Sequence, residues 1–160
     1  MPSNGNSEAD GEPMVRVVKS TIIDAPVDRV WAILRDFNGF DRWLPPIKAS
    51  AIERHLPADL IGCVRRVQLQ DGAEVREQLL GLSDLEMTIS YCLLDTPIPL
   101  FNYVAHVRLL PVTDGNRTFW HWEARFTTPA SAEVEMTKLV GELIFEAGFQ
   151  SIRNYEALAA

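Results

Sequence analysis

The spacing of apolar positions switches between period two and the helical period along this chain, and each switch marks a change of element. Residues 15–23 are β-branched and alternating, which predicts a strand. Asp24-Ala25-Pro26 follows, offering a capping carboxylate and a proline suited to a first helical turn. Val27, Val30, Trp31 and Leu34 then fall at i, i+3, i+4 and i+7, one apolar stripe on a helix ending near Phe37-Asn38-Gly39. A second short helix is predicted over 40–44, stopped by Pro45-Pro46.

Alternation then dominates, predicting strands at 48–55, 63–70, 74–82, 86–94, 101–112 and 117–127, with turns at Asp71-Gly72, Ser83-Asp84 and Asp114-Gly115. The last segment returns to the helical period. Met136, Leu139, Val140, Leu143, Ala147 and Ser151 fall on one face, and no proline interrupts 133–158. A strand, two short helices, a run of antiparallel strands and one long helix make a single α+β domain over 14–160. In it a bent sheet needs a cover, and the final helix lying in its concavity supplies one. The polar stretch 1–13, MPSNGNSEADGEP, has almost nothing to bury and is predicted to be a disordered tail.

Hairpin register decides which side chains face that helix, because a one-residue slip reverses every side chain. A three-residue loop Asp71-Gly72-Ala73 keeps the odd positions of both flanking strands on one face, with Val67 opposite Glu77 and Arg65 diagonal to it. A four-residue loop 113–116 pairs Tyr103, Ala105, Val107 and Leu109 with Phe126, Ala124, Trp122 and Trp120, an inner wall of large rings interleaved with alanine. Tyr91 and Leu93 share that side with Met87 and Ile89. The same register sets His106 against Glu123 and Arg108 against His121 on the outer face, to which Cys63 and Cys92 are also assigned.

Composition narrows the function. The 160 residues are 47% hydrophobic and 23% charged, enough for an apolar core without metals or disulfides. A formal net charge of -7 argues against a phosphate-binding surface, and so against nucleic acid and anionic membranes. No apolar run approaches the ~20 residues that span a bilayer, so no integral membrane association is expected. The N-terminus lacks a secretion pattern, so a cytoplasmic location is expected. The three histidines form no HExxH or HxH pair, and GxSxG, GxxxxGK[ST] and GxGxxG are absent; no metal, cofactor or catalytic triad is predicted.

Glu77 is the sharpest chemical feature, since a carboxylate on an apolar face is costly unless paired or bonded. Arg65 either braces the sheet by neutralising it, or one or both orient a ligand's polar group. Tyr91 and Tyr103 offer hydroxyls to a ligand or sit in the core with their tips satisfied. Trp120 and Trp122 pack on the final helix or stack on a flat ligand, and Trp31 and Trp43 belong to the core of the helical layer. The candidate binding wall takes Arg65, Val67 and Leu69 from one strand, with Glu77 and Leu79 from the next. Tyr91, Leu93, Tyr103, Ala105 and Trp122 come from the later strands, and Leu143 from the final helix.

Asp24-Ala25-Pro26-x-Asp28-x-Val30-Trp31, then Trp43-Leu44-Pro45, Gly62-x-x-Arg65 and Trp122-x-Ala124-x-Phe126, in order over 14–158, resemble the Bet v 1/START-type helix-grip superfamily, SRPBCC. Within it the chain is most similar to bacterial polyketide cyclase/dehydrase-like proteins. The resemblance implies a seven-stranded curved antiparallel sheet around the C-terminal helix, with a hydrophobic cavity between them. It also implies binding or transport of a hydrophobic small molecule such as a lipid, a polyketide or an aromatic metabolite; the alternative is a cyclase or dehydratase working in the same cavity. Plant abscisic-acid receptors are more distantly similar: Glu77 and Asn102-Tyr103 fall where they place cavity residues. Their gate is replaced by Asp71-Gly72-Ala73-Glu74, their latch by Ile98-Pro99-Leu100 and their ligand-pairing lysine by Leu44. Lid loops are expected at 71–73 and 96–101, the second apolar enough to suggest a homodimer or protein-partner contact.

Overall fold

A computed structural model describes residues 13–155 and Leu158; apart from Pro13, the predicted tail lies outside the described residues. Seven strands form one antiparallel sheet: β1 (Met14–Ile23), β2 (Ile47–Ile52), β3 (Val64–Leu69), β4 (Glu74–Ser83), β5 (Thr88–Asp95), β6 (Phe101–Val112) and β7 (Arg117–Thr127). Their order is β1-β7-β6-β5-β4-β3-β2. The chain leaves one edge, crosses through α1 (Val27–Leu34) and a 3-10 turn (Phe37–Arg42), and then returns hairpin by hairpin from the other edge. A final helix follows, built of α2 (Glu133–Lys138), a π-helical segment (Leu139–Glu146) and α3 (Ala147–Arg153).

Local chemistry explains where the short elements stop. Pro26 caps α1 without any side-chain hydrogen bond, so Asp24 does not serve as the predicted cap; Arg29 and Val30 donate their backbone N–H groups to the Pro26 carbonyl. The second helical piece begins earlier than 40–44, because Asp36 seeds it. One Asp36 carboxylate oxygen accepts the Asn38 N–H at 3.2 Å and the other accepts Arg42 Nη2 at 2.7 Å. This turn buries Phe37 and Phe40 against the sheet.

The β6–β7 register is the one the four-residue loop predicts, with Val107 opposite Trp122 and His106 opposite Glu123. A bulge interrupts it between Phe101 and Val104, where Asn102 takes a positive φ of 53°, and Tyr103 meets Phe126 as a stacked ring pair. The β3–β4 hairpin differs from expectation. Arg65 pairs with Glu77 and Val67 with Val75, because the loop is Gln70-Asp71-Gly72, closed by Leu69 N–H to the Ala73 carbonyl at 2.8 Å. The closing position of a three-residue hairpin needs positive φ, and Gly72 supplies it at 89°. Pairing moves by two residues, so the inner face survives. Cys63 is also corrected: it shares the odd parity of Arg65 and Val67 and is buried, whereas Cys92 is half-buried.

The final helix changes pitch, and that changes its buried face. A π-helix closes i→i+5 bonds and widens the turn, so a stripe of α-helical spacing loses its phase along it. Val140 and Phe145 are both fully buried, while Leu143, which an α-helical stripe would turn inward, is 56% exposed. Against the sheet this helix sets Phe145 on Trp122, stacked at 4.2 Å, and Phe149 edge-on to Trp120 at 4.7 Å. Such ring pairs add about 0.5–1.5 kcal/mol each beyond area burial. Trp43 joins them from the helical layer.

Candidate functional site

The aromatic cluster fills the concavity at one end of the sheet, and the space survives at the other. A pocket of about 110 Å³ opens there between β3 to β6, residues 44–47, the loop 96–100 and the π-helical segment. Arg65, Val67 and Leu69 of β3, Glu77 of β4, Tyr91 and Leu93 of β5 and Tyr103 of β6 all reach it. Four expected wall residues do not. Leu79, Ala105 and Trp122 face inward but are fully buried, Trp122 beneath Phe145, and Leu143 is turned outward by the π-helical pitch.

Several residues absent from the expected wall complete it. Val75 was inward by parity, and Ile98 and Leu100 belong to the expected lid. Loop 71–73 contributes nothing to the wall; Leu44, Pro46 and Ile47 cover that side. Leu139 and Ile144 come from the helix together because they are five residues apart, a coincidence no α-helical stripe predicts. Leu100 is buried, so the apolar loop turns inward and leaves Phe101 half-exposed.

Arg65 holds the polar end of the pocket. Its side chain is 1% exposed, and its guanidinium carbon lies 4.1 Å from the ring centroids of both Phe37 and Phe40 and 5.0 Å from that of Tyr91. Nε donates to Glu77 Oε2 at 2.6 Å, Nη2 meets the same oxygen, and Nη1 donates to the Phe37 carbonyl. The cation is thus bound to the sheet, to the 3-10 turn and to three aromatic faces at once. Both contacts to Glu77 fall on Oε2, and the carboxylate remains on the pocket wall.

Tyr91 and Tyr103 are buried and both line the pocket. Burial pushes both phenols well above their ordinary range, and the nearby Glu77 charge adds to it. For Tyr91, Arg65 and the Trp122 indole pull the other way without prevailing. Both hydroxyls therefore stay protonated at neutral pH, able to donate as well as accept. Burial likewise raises the thiols of Cys63 and Cys92, so neither is an activated nucleophile.

A seven-stranded antiparallel sheet gripping a long C-terminal helix defines a helix-grip protein. Residues 14–155 match the family described as polyketide cyclase/dehydrase and lipid transport, and the chain belongs to that family. Solved structures share the fold. An uncharacterised protein from Bacillus thuringiensis is 25% identical, with a TM-score of 0.77 over 88% of this chain and 97% of its own. XoxI from Bacillus cereus is 24% identical with a TM-score of 0.78, covering 88% and 94% of the two chains. A protein from Nitrosospira multiformis is 27% identical with a TM-score of 0.74 over the same shares, 88% and 94%. No curated protein matches the chain. No helix among the described residues is long and apolar enough to cross a membrane.

Proposed function

We propose that residues 14–160 act as one ligand-binding domain that holds a hydrophobic small molecule, of lipid, polyketide or aromatic type, between the sheet and the final helix. The observation that carries this reading is an apolar pocket with Glu77 and two protonated tyrosines at its polar end. Its volume of about 110 Å³ suits a single ring; an apolar cavity of about 150 Å³ is known to take benzene. A full polyketide or acyl chain needs the loop 96–100 to move outward.

A cyclase or dehydratase would use the same pocket, and the carboxylate beside two phenols is what favours that second reading. Both tyrosines are too firmly protonated to serve as bases, which leaves Glu77, already engaged by Arg65. Binding therefore explains the site with fewer demands. Native mass spectrometry of the protein purified from its own host should show a stoichiometric organic adduct, lost in Val67→Trp, which fills the pocket. Turnover of that compound by the protein would establish the enzyme instead, and an adduct untouched by Val67→Trp would place the ligand elsewhere.

A further inference from the structure

Resting on that binding reading, we propose that the pocket selects ligands by their polar end. It takes a neutral or cationic group that donates a hydrogen bond, such as a phenol, an alcohol or an ammonium, and it rejects a carboxylate. Among the described residues lining the pocket, Arg65 is the one cation and Glu77 the one anion. Arg65 cannot receive an acidic ligand: it is 1% exposed, bound to Glu77 and to the Phe37 carbonyl, and covered by three rings.

Glu77 is different. Its bonds from Arg65 end on Oε2, and among the described residues no hydrogen bond ends on Oε1. An ionised carboxylate only accepts, so the group that meets Oε1 must bring a proton. A ligand carboxylate would instead set like charge against like charge where water is largely excluded and the field is least screened. Among the described residues the Tyr103 hydroxyl has no hydrogen-bond partner either; burial, with Tyr91 and the Glu77 charge beside it, keeps it protonated, free to accept from a ligand or donate to it. A ligand hydroxyl can therefore donate to Glu77 and accept from a tyrosine, with both directions satisfied.

Four small probes of matched size separate this selectivity from plain apolar binding: toluene against phenol, and nitrobenzene against benzoate. Affinities would be read by ligand-observed NMR titration of the full chain at neutral pH. A cavity without polar partners prefers toluene to phenol, because water holds the hydroxyl. Here phenol should bind at least as tightly as toluene, and benzoate about tenfold or more weakly than nitrobenzene. Tyr103→Phe, which removes only the hydroxyl, should weaken phenol about tenfold and leave toluene unchanged. Benzoate matching nitrobenzene, phenol lagging toluene, or Tyr103→Phe sparing phenol overturns the head-group selectivity while the pocket reading stands. If none of the four probes binds, the pocket reading falls and takes the selectivity with it.

Discussion

Arg65 and Glu77 face each other directly across β3 and β4, and the guanidinium also reaches the Phe37 carbonyl. The pair thus ties the sheet to the 3-10 turn that carries Phe37 and Phe40, whose rings close over the cation. Bracing thus engages Oε2 of the carboxylate, and the proposed ligand contact falls to Oε1.

Breaking this pair from one side should cost more than removing it. Glu77→Gln leaves a cation in an aromatic box, and Arg65→Met leaves a nearly buried carboxylate, so each should destabilise by about 3–5 kcal/mol. The double variant strands neither charge and should recover most of that loss in urea denaturation. Additive single losses would show that the two side chains do not act as a unit.

Alkaline pH tests the buried phenols. Tyr91 and Tyr103 have raised folded values, so above the ordinary tyrosine pKa of about 10 the folded state holds more protons than the unfolded one. Stability should be intact below that pH and fall as it rises. In a spectrophotometric titration these two tyrosines should ionise only as the fold opens. Their reversible ionisation with the near-ultraviolet circular dichroism of the folded state unchanged would mean that their hydroxyls are solvated.

Parity made the inner face readable, because it survives errors of two residues. The β3–β4 pairing was misplaced by that much, yet Arg65, Val67, Glu77 and Tyr91 still reach one pocket. What parity does not carry is position along the sheet. Trp122 and Tyr91 both face inward, but only packing by Phe145 decides that one is sealed and the other open. The helix face was legible only while its pitch was α-helical. Met136 in α2 fits the predicted stripe and is buried, as is Val140 at the start of the π-helical segment; further along that segment Leu143 and Ile144 exchange the roles that the stripe gives them.

That exchange has a measurable consequence. Leu143→Ser should change stability by no more than about 0.5 kcal/mol, as exposed substitutions do. Ile144→Ala, on the pocket wall, should cost about 1–2 kcal/mol and admit a larger ring than the parent pocket holds. The opposite ranking in denaturation would restore an α-helical phase.

Two glycines of the same helix should respond to alanine with opposite signs. A Cβ on Gly148 would lie 3.0 Å from Trp122, 3.1 Å from Leu44 and 3.2 Å from Trp43, a wall of packed rings and chain that cannot yield. Overpacking of about 1–3 kcal/mol then outweighs the gain in helix propensity, and Gly148→Ala should lower the melting temperature. At Gly141 the nearest atom is Lys19 Cε at 3.1 Å, the end of a flexible, half-exposed chain. Gly141→Ala should be neutral or stabilising by up to about 1 kcal/mol. Equal losses at both positions would show that the helix approaches the sheet as closely at Gly141 as at Gly148.

The loop over the pocket is held by one buried hydroxyl, which makes its opening adjustable. Thr128 Oγ1 donates to the Pro99 carbonyl at 2.6 Å, and the loop folds on itself through Leu100 N–H to the Ile98 carbonyl at 2.7 Å. Ile98 N–H is held by Thr96 Oγ1 at 3.0 Å. Thr128→Val keeps the shape but leaves the Pro99 carbonyl without its donor, a loss of about 1–3 kcal/mol that falls mainly on the loop. The Ile98 and Leu100 amides should then exchange faster with deuterium while those of β6 and β7 keep their protection. If this loop is the gate, probe molecules should also enter and leave faster in Thr128→Val, with little change in their affinity. Faster exchange with unaltered entry rates would move the gate to Leu44, Pro46 and Ile47, which line the same pocket.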